Sequence, residues 1–421
     1  MASPSTLLQL VARGRQDQYL TNNPQFTYFK HVYRRYTPFA IESIPIEFDG
    51  TVDFGRRITT IIPRKGELLS SLFIEIELPP LPQLEGTPTN YWVNDIGHAL
   101  IEDVRIEIGE KEFDRHTGQW LHIWDELTTP AEKLDGYNEM VGHWAVYPPD
   151  PSVAANPLHL TIPLRFWFCN NIGAALPLIA LQAHPVRIVV YLRKFQELWW
   201  STAVPGSPGQ PCPALDPVPI TRFQLYGDYI FLDTDERQRF ASASHEYLID
   251  QLQHSPPQSV AANITSSNIS LAFNHCCKEF LWVIREDRMK AAREWFNFSN
   301  ALENNGGEPG IVSQDPLCTA LIRLDGYDRF HTRGARYFRL TQPYQRHTVV
   351  PDDYIYLYSF SLRPEEEQPS GSINCSKFDD IVLHLTYDTD IVSYDRTVFV
   401  YATNYNVVRI TGGLAGLAFL A

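Results

Sequence analysis

The stretch VRIEIGEKEFDRHTG, Val104–Gly118, has a counterpart in ALIRLDGYDRFHTRG, Ala320–Gly334. Both open on a strand in which apolar and polar residues alternate. Both then turn through an aromatic–Asp–Arg triplet, Phe113–Arg115 in the first copy and Tyr327–Arg329 in the second. The downstream strands repeat as well. LTIPLRFWF (Leu160–Phe168), HPVRIVVYLR (His184–Arg193) and RFQLYGDYIFLD (Arg222–Asp233) come after the first copy. YIYLYSFSL (Tyr354–Leu362), DDIVLHLTY (Asp379–Tyr387) and RTVFVYATNYNVVRI (Arg396–Ile410) come after the second in the same order. Each set is an aromatic strand, an aliphatic strand and a closing strand. A two-fold repeat on this scale predicts two similar all-β domains in one chain.

Upstream of the first copy, FAIESIPIEF (Phe39–Phe48) puts Phe39, Ile41, Ile46 and Phe48 on an apolar face, with a Pro-bearing irregularity between them. In SLFIEIELP (Ser71–Pro79), Leu72, Ile74, Ile76 and Leu78 alternate with Phe73, Glu75 and Glu77, the pattern of a strand with one wet face. Thr117–Leu134 sets Trp120, Ile123, Trp124 and Leu127 at the spacing of a buried helix face. Arg285–Phe296 is the helix of the second half. Two segments compete for the junction. Ser201–Pro219 is the most Pro/Gly-rich, but the strand after it matches the closing strand of the second copy. It is therefore a loop inside the first domain, and the junction is Asp233–Ala241, where Asp233 or Thr234 caps a short helix with Glu236 in its first turn. The expected organisation is an arm over 1–24, a first sandwich over 25–235 and a second over 236–421. Eight strands of about six residues leave most of each domain to loops and short helices.

The 421 residues suffice for two such domains, each with its own core. With 31 prolines and 23 glycines, turns and short elements prevail over long helices. A net charge of −14 argues against a coat that packages nucleic acid directly, which needs clustered Lys and Arg to displace counterions from phosphates. The most basic stretch, Lys30–Tyr36, is short and aromatic, and reads as a strand edge or surface cluster. No segment reaches the roughly 18 apolar residues of a membrane-spanning helix. The N-terminus lacks the basic region of a secretory signal. The six cysteines (Cys169, Cys212, Cys276, Cys277, Cys318 and Cys375) form no C-x-x-C pair, which suits synthesis in a reducing cytoplasm.

Residues that resemble chemistry read more simply as structure. His245–Ile249 opens like the zinc-protease H-E-x-x-H but has Ile249 in place of the second His. His116 and His122 do not share a helix face. His275, Cys276 and Cys277 point alternately along a strand and cannot converge on a metal alone. Glu75 and Glu77 belong to a solvated outer face, and Gly412–Gly416 reads as a flexible C-terminal tail. The expected catalytic, cofactor and metal residues are therefore none. Four N-x-S/T sequons, at Asn263, Asn268, Asn297 and Asn374, are candidate glycosylation sites by pattern only.

Four long stretches carry a family resemblance: Leu10–Ile44, Tyr229–Gln253, Pro369–Asp380 and Tyr401–Phe419. Together they resemble the major capsid proteins of nucleocytoplasmic large DNA viruses. The resemblance implies an all-β fold of two consecutive eight-stranded antiparallel jelly-roll sandwiches with short helices in the loops. It also implies a homotrimeric, pseudo-hexagonal capsomer that tiles an icosahedral virion shell above an internal membrane. The implied partners are further copies of the chain, neighbouring capsomers and minor capsid proteins, with the membrane reached indirectly, no nucleic acid in direct contact and no cofactor. On this reading the chain is not an enzyme, its arm (Leu10–Tyr36) faces the particle interior, and long loops such as Asn297–Pro316 face outward. The rival expectations are a minor or penton capsid paralogue, and a carbohydrate-binding or carbohydrate-active double β-sandwich.

Overall fold

The computed structural model describes residues 4–31, 33–83, 90–144, 156–201, 215–302, 314–388 and 393–419. The chain falls into two units, Met1–Pro38 and Phe39–Ala421. The first holds helices α1 (Pro4–Val11) and α2 (Arg15–Thr21), neither with a buried residue.

In the second unit the first half supplies strands β1 (Phe39–Ile46), β2 (Arg57–Ile61), β3 (Leu68–Leu78), β4 (Ile101–Ile108), β5 (Lys111–Thr117), β6 (Leu158–Pro163), β7 (Val186–Leu192) and β8 (Arg222–Leu232). They form two antiparallel sheets, in the orders β1-β8-β3-β6 and β2-β7-β4-β5. The second half supplies β9 (His245–His254), β10 (Ser266–Ser270), β11 (Cys276–Glu286), β12 (Leu317–Leu324), β13 (Tyr327–Asp328), β14 (Tyr356–Ser359), β15 (Ile381–Tyr387) and β16 (Arg396–Thr411). Their sheets run β9-β16-β11-β14 and β10-β15-β12-β13. Adding eight to each strand number of the first half reproduces the second. This is the double jelly roll, and the four strand pairs aligned in the sequence (β4 with β12, β6 with β14, β7 with β15, β8 with β16) occupy the same sheet positions.

Local chemistry explains the hairpins. Gly109 and Glu110 join β4 to β5 with φ of 61° and 68°, and Asp325 and Gly326 join β12 to β13 with φ of 48° and 82°. Two left-handed residues make the turn whose twist matches that of the flanking strands, and Asp-Gly is among its preferred sequences. At the junction, α3 (Thr234–Ser242) starts where the Asp233 carboxylate accepts from Glu236 N at 2.8 Å.

The sheets differ in how they are covered. In β3, Leu72, Ile74, Ile76 and Leu78 are buried while Phe73, Glu75 and Glu77 are half-buried, as the alternation predicts. In β11 every residue from Cys277 to Glu286 is buried. One face of β11, with Phe280, Trp282 and Ile284, packs inside its own sandwich. Leu281 and Val283 on the other face join the core of the first half. The core of the first half thus extends onto the outer face of this sheet, while the interior of the second sandwich is a cluster of its own.

The helix expected over Arg285–Phe296 spans only Asp287–Ala292, because Arg285 and Glu286 still belong to β11. Four further sequence expectations need correction. Phe39 and Ile41 are exposed, because β1 pairs with β8 in unbroken register and they point away from the face on which Ile44 and Ile46 meet the core. The aromatic stretch Leu160–Phe168 is strand only as far as Pro163, and Trp167–Asn170 forms a helical turn. Gly412–Gly416 is no loose tail. Gly412 and Gly413, with φ of 62° and 86°, turn β16 into β17 (Leu414–Leu417), and Gly413 O accepts from Ala183 N at 3.0 Å. The fourth is Asn297–Leu302, expected as exposed loop, in which all but Asn300 are buried.

Gly118 opens helix α4 (Gly118–Thr128), and a Cβ there would overlap the carbonyl oxygens of His98 and Ile101. Gly118→Ala is expected to cost at least about 3 kcal/mol, or to prevent soluble folding. Gly136 lies in helix α5 (Ala131–Val141), where a Cβ meets nothing within 4 Å. Gly136→Ala should therefore stabilise by about 0.5–1 kcal/mol. Urea denaturation midpoints of the two variants check both signs.

Candidate functional site

The chemistry-bearing side chains gather where the first half meets the second. Thr117 caps α4 by accepting from Trp120 N at 3.1 Å, which places one face of the helix against the second half. Trp120 packs on Tyr401 with ring centroids 5.4 Å apart, and His122 stacks on Phe296 at 4.4 Å. Strand β5 reaches β9 in the same layer: Leu252 N donates to Asp114 Oδ1 at 3.2 Å, and His254 Nε2 donates to Arg115 O at 2.8 Å. Burial holds His254 neutral, its pKa pushed down to about 4. Further along, Trp295 Nε1 donates to Glu197 O at 2.9 Å, and Arg193 lies 3.7 Å over the Trp295 ring.

A buried polar network fills this junction. The short helix Ile96–Leu100 begins at Asp95, which takes a left-handed φ of 51° that Asp tolerates. Asp95 Oδ1 faces His143 Nδ1 at 3.0 Å and Asp95 Oδ2 faces His122 Nδ1 at 4.0 Å. His122 Nε2 meets Asp353 Oδ2 of the second half at 2.9 Å. Burial opposes a charge on His122, but the Asp353 hydrogen bond and the Asp95 charge outweigh it and raise its pKa to about 9. Burial likewise works against the Asp95 carboxylate, yet His143 and His122 hold it below its ordinary range. Asp125 receives Arg165 Nη2 at 2.6 Å and the Tyr137 hydroxyl. His98 directs Nε2 to Tyr137 Oη at 3.1 Å and to Asp125 Oδ2 at 3.3 Å. Buried ions in such a layer are tolerable only because each has a partner.

A second cluster lies inside the second half. Both ring nitrogens of His347 meet carboxylates, Nε2 to Glu279 at 2.8 Å and Nδ1 to Glu365 at 2.9 Å, so the ring carries both protons. Lys278 Nζ donates to Asp250 at 2.7 Å and to Pro364 O at 2.8 Å.

The residues singled out in the sequence scatter. His245 and Glu246 lie on strand β9, not on a helix, so they hold no protease metal. His116 stacks on Phe166, apart from the His122 cluster. Cys276 and Cys277 open β11, and Cys212 lies outside the described residues. Asn263, Asn268 and Asn374 are exposed. Asn297 is buried: its Nδ2 donates to Glu294 Oε2 at 2.6 Å and to Ala301 O at 2.7 Å, while its Oδ1 accepts from Ser299 N and Oγ. A folded chain offers that amide to no glycosyltransferase. Sequence reasoning missed the Asp95–His98–His122–Asp353 group altogether, because its members come from separate segments. In the N-terminal unit, Leu8, Val11, Leu20, Phe26, Tyr28 and Phe29 are exposed, and Arg34 and Arg35 lie in exposed chain without regular structure.

Burial disfavours the His347 imidazolium, but Glu279 and Glu365 raise its pKa to about 9. A group with a raised folded pKa contributes its full stability below the free-histidine pKa of about 6.5, and loses it as the pH rises through the folded value. Wild type should therefore lose of order 3 kcal/mol more than His347→Gln between about pH 6.5 and 9.5. Paired denaturation curves across that range check it.

Comparison with known proteins agrees with this architecture. Residues 236–416 match the family model described as large eukaryotic DNA virus major capsid protein, and residues 27–233 match the model of the major capsid protein N-terminus. The chain is 40% identical to the major capsid protein of Pyramimonas orientalis virus, over 98% of each chain. It is 36% identical to that of Paramecium bursaria Chlorella virus 1, over 98% of this chain and 99% of the relative. The quasi-atomic model of the PBCV-1 virus capsid superposes with a TM-score of 0.77 at 31% identity, covering 94% of this chain and all of the other. The Faustovirus major capsid protein shares the fold at 13% identity, with a TM-score of 0.73 over 96% of each chain. The chain belongs to the major capsid protein family of large eukaryotic DNA viruses.

Proposed function

We propose that this chain is the structural unit of an icosahedral virion shell and works as a homotrimer. The carrying observation is the repetition of sheet order, strand for strand, between the two halves. Three copies around one axis present six like sandwiches, so a three-fold particle occupies a position with six-fold surroundings. The first sandwich is assigned to 25–235 and the second to 236–421, with 1–24 as an arm. Trimers tile against neighbouring capsomers. The exposed apolar side chains of the arm are the contacts for minor capsid proteins beneath the shell, since a surface so rich in exposed Leu, Phe and Tyr gains by being covered. The chain is made in the cytoplasm of the infected cell.

The chain is read as non-catalytic. A cleft of about 690 Å³ between α4, α5 and β9 carries Glu132, Asp250, Glu365 and Glu367. Asp250 is committed to Lys278 and Glu365 to His347, which leaves neither as a free acid or base for glycoside chemistry.

Light scattering of the purified protein should give three chains of 48.2 kDa each, and a stable monomer at micromolar concentration overturns the reading. Deleting Met1–Asn23 should leave the trimer intact and abolish its incorporation into shells. Loss of the trimer on that deletion would instead place the arm within the capsomer.

A further inference from the structure

We propose that Asp95, His98 and His122 form a binding site for a divalent transition-metal ion of the zinc class, set at the junction of the two halves. Ligand atoms of the three residues lie within 4.8 Å of one another, and all three are buried. Each histidine is already oriented by a partner on its far nitrogen: His98 by Tyr137 and Asp125, His122 by Asp353. Carboxylates behind imidazoles are the supporting shell that fixes the ring and raises its basicity towards a metal. Asp125 is itself held by Arg165 and Tyr137, so the His98 ring has little freedom to turn.

The hydrogen bonding of His98 points to a cation independently of this clustering. Nε2 of His98 faces Asp125 and Tyr137, and in the neutral tautomer that donates to them Nδ1 offers a lone pair; that buried atom has no hydrogen-bond partner. A buried acceptor without a donor is costly, and a bound cation would satisfy it. Nδ1 of His122 faces Asp95 Oδ2 at 4.0 Å, a gap wider than a hydrogen bond, and an ion bound there would take the place of the proton on that nitrogen and release it to solvent.

Two imidazole nitrogens and one carboxylate oxygen suit zinc, cobalt or nickel, and not calcium or magnesium, which require shells of oxygen. Bonds of about 2.0–2.2 Å put tetrahedral donors about 3.3–3.6 Å apart. Binding an ion requires all three side chains to draw together from their present spacing, with Asp95 keeping its other oxygen on His143. The His143 side chain, 28% exposed, supplies either a fourth ligand or the entry route from solvent. A bound ion would join the helix that starts at Asp95 to α4, and through the His122–Asp353 contact to the second half. The ion site stands apart from the trimer and from shell assembly, and either can fail without the other.

The test uses the purified full-length protein, stripped with a chelator and titrated with Zn²⁺ and, separately, Co²⁺. The expected result is one ion per chain, with the visible absorption of four-coordinate cobalt. His98→Gln and His122→Gln should abolish both. Asp353→Asn, which leaves every ligand in place, should weaken affinity about 10- to 100-fold. The proposal is overturned if wild type retains fewer than about one ion per ten chains. It is equally overturned if His98→Gln binds as wild type does, which would place the ion elsewhere. The wild-type cobalt spectrum decides the case even if a variant fails to fold.

Discussion

The sheet β9-β16-β11-β14 is covered on both faces, and the organisation of the molecule depends on that. An antiparallel sheet of a sandwich ordinarily turns one face to water. Here the outer face of β11 offers Leu281 and Val283, and Trp120 on α4 packs against Tyr401 of β16. Burying that face removes several large side chains from water at about 25 cal/mol per Å². The two jelly rolls are therefore not beads on a linker: Phe39–Ala421 is one compact unit in which the first half's core takes in one face of the second half's sheet.

That arrangement dictates where charge has to be managed. A helix laid on a sheet cannot exclude every polar group, and those trapped in the layer are matched in sign. Asp125 meets Arg165, Asp95 meets His143, and His122 meets Asp353 across the junction. Glu126, lifted to about 7 by burial and by the charges of Asp353 and Asp95 against the pull of His122, is the group least settled in its charge. The junction is held by packing and oriented by these pairs, since a buried ion pair is directional where an apolar contact is not.

Most of the fold could be read from periodicity. The copies beginning at Val104 and Ala320 set the strand correspondence, and the two-residue turns at Gly109 and Asp325 occupy the same place in each. The face of α4 was legible because Trp120, Ile123 and Leu127 repeat at helical spacing and are buried. Other features left no local trace. Asn297 and Ser299 look like polar loop, yet Phe296, Phe298 and Leu302 draw the segment inward and its amide is satisfied internally. Asp95, His98, His122 and Asp353 meet only after both halves have packed, and no short window along the chain contains them together. Gly412–Gly413 read as flexibility although it is the turn of a hairpin, because the contacts that fasten that hairpin to the first half, at Ala183 and His184, lie far upstream.

That last pairing bears on the order of events during synthesis. Ala415 N donates to His184 Nδ1, a contact closed across 231 positions, and β17 zips back along β16 beside it. The first sandwich has every strand it needs once β8 has emerged, and it can collapse while the ribosome is still translating the second. The clasp between halves cannot close until residues near 415 have left the exit tunnel. A chain that stops short of residue 415 therefore lacks this fastening between the halves.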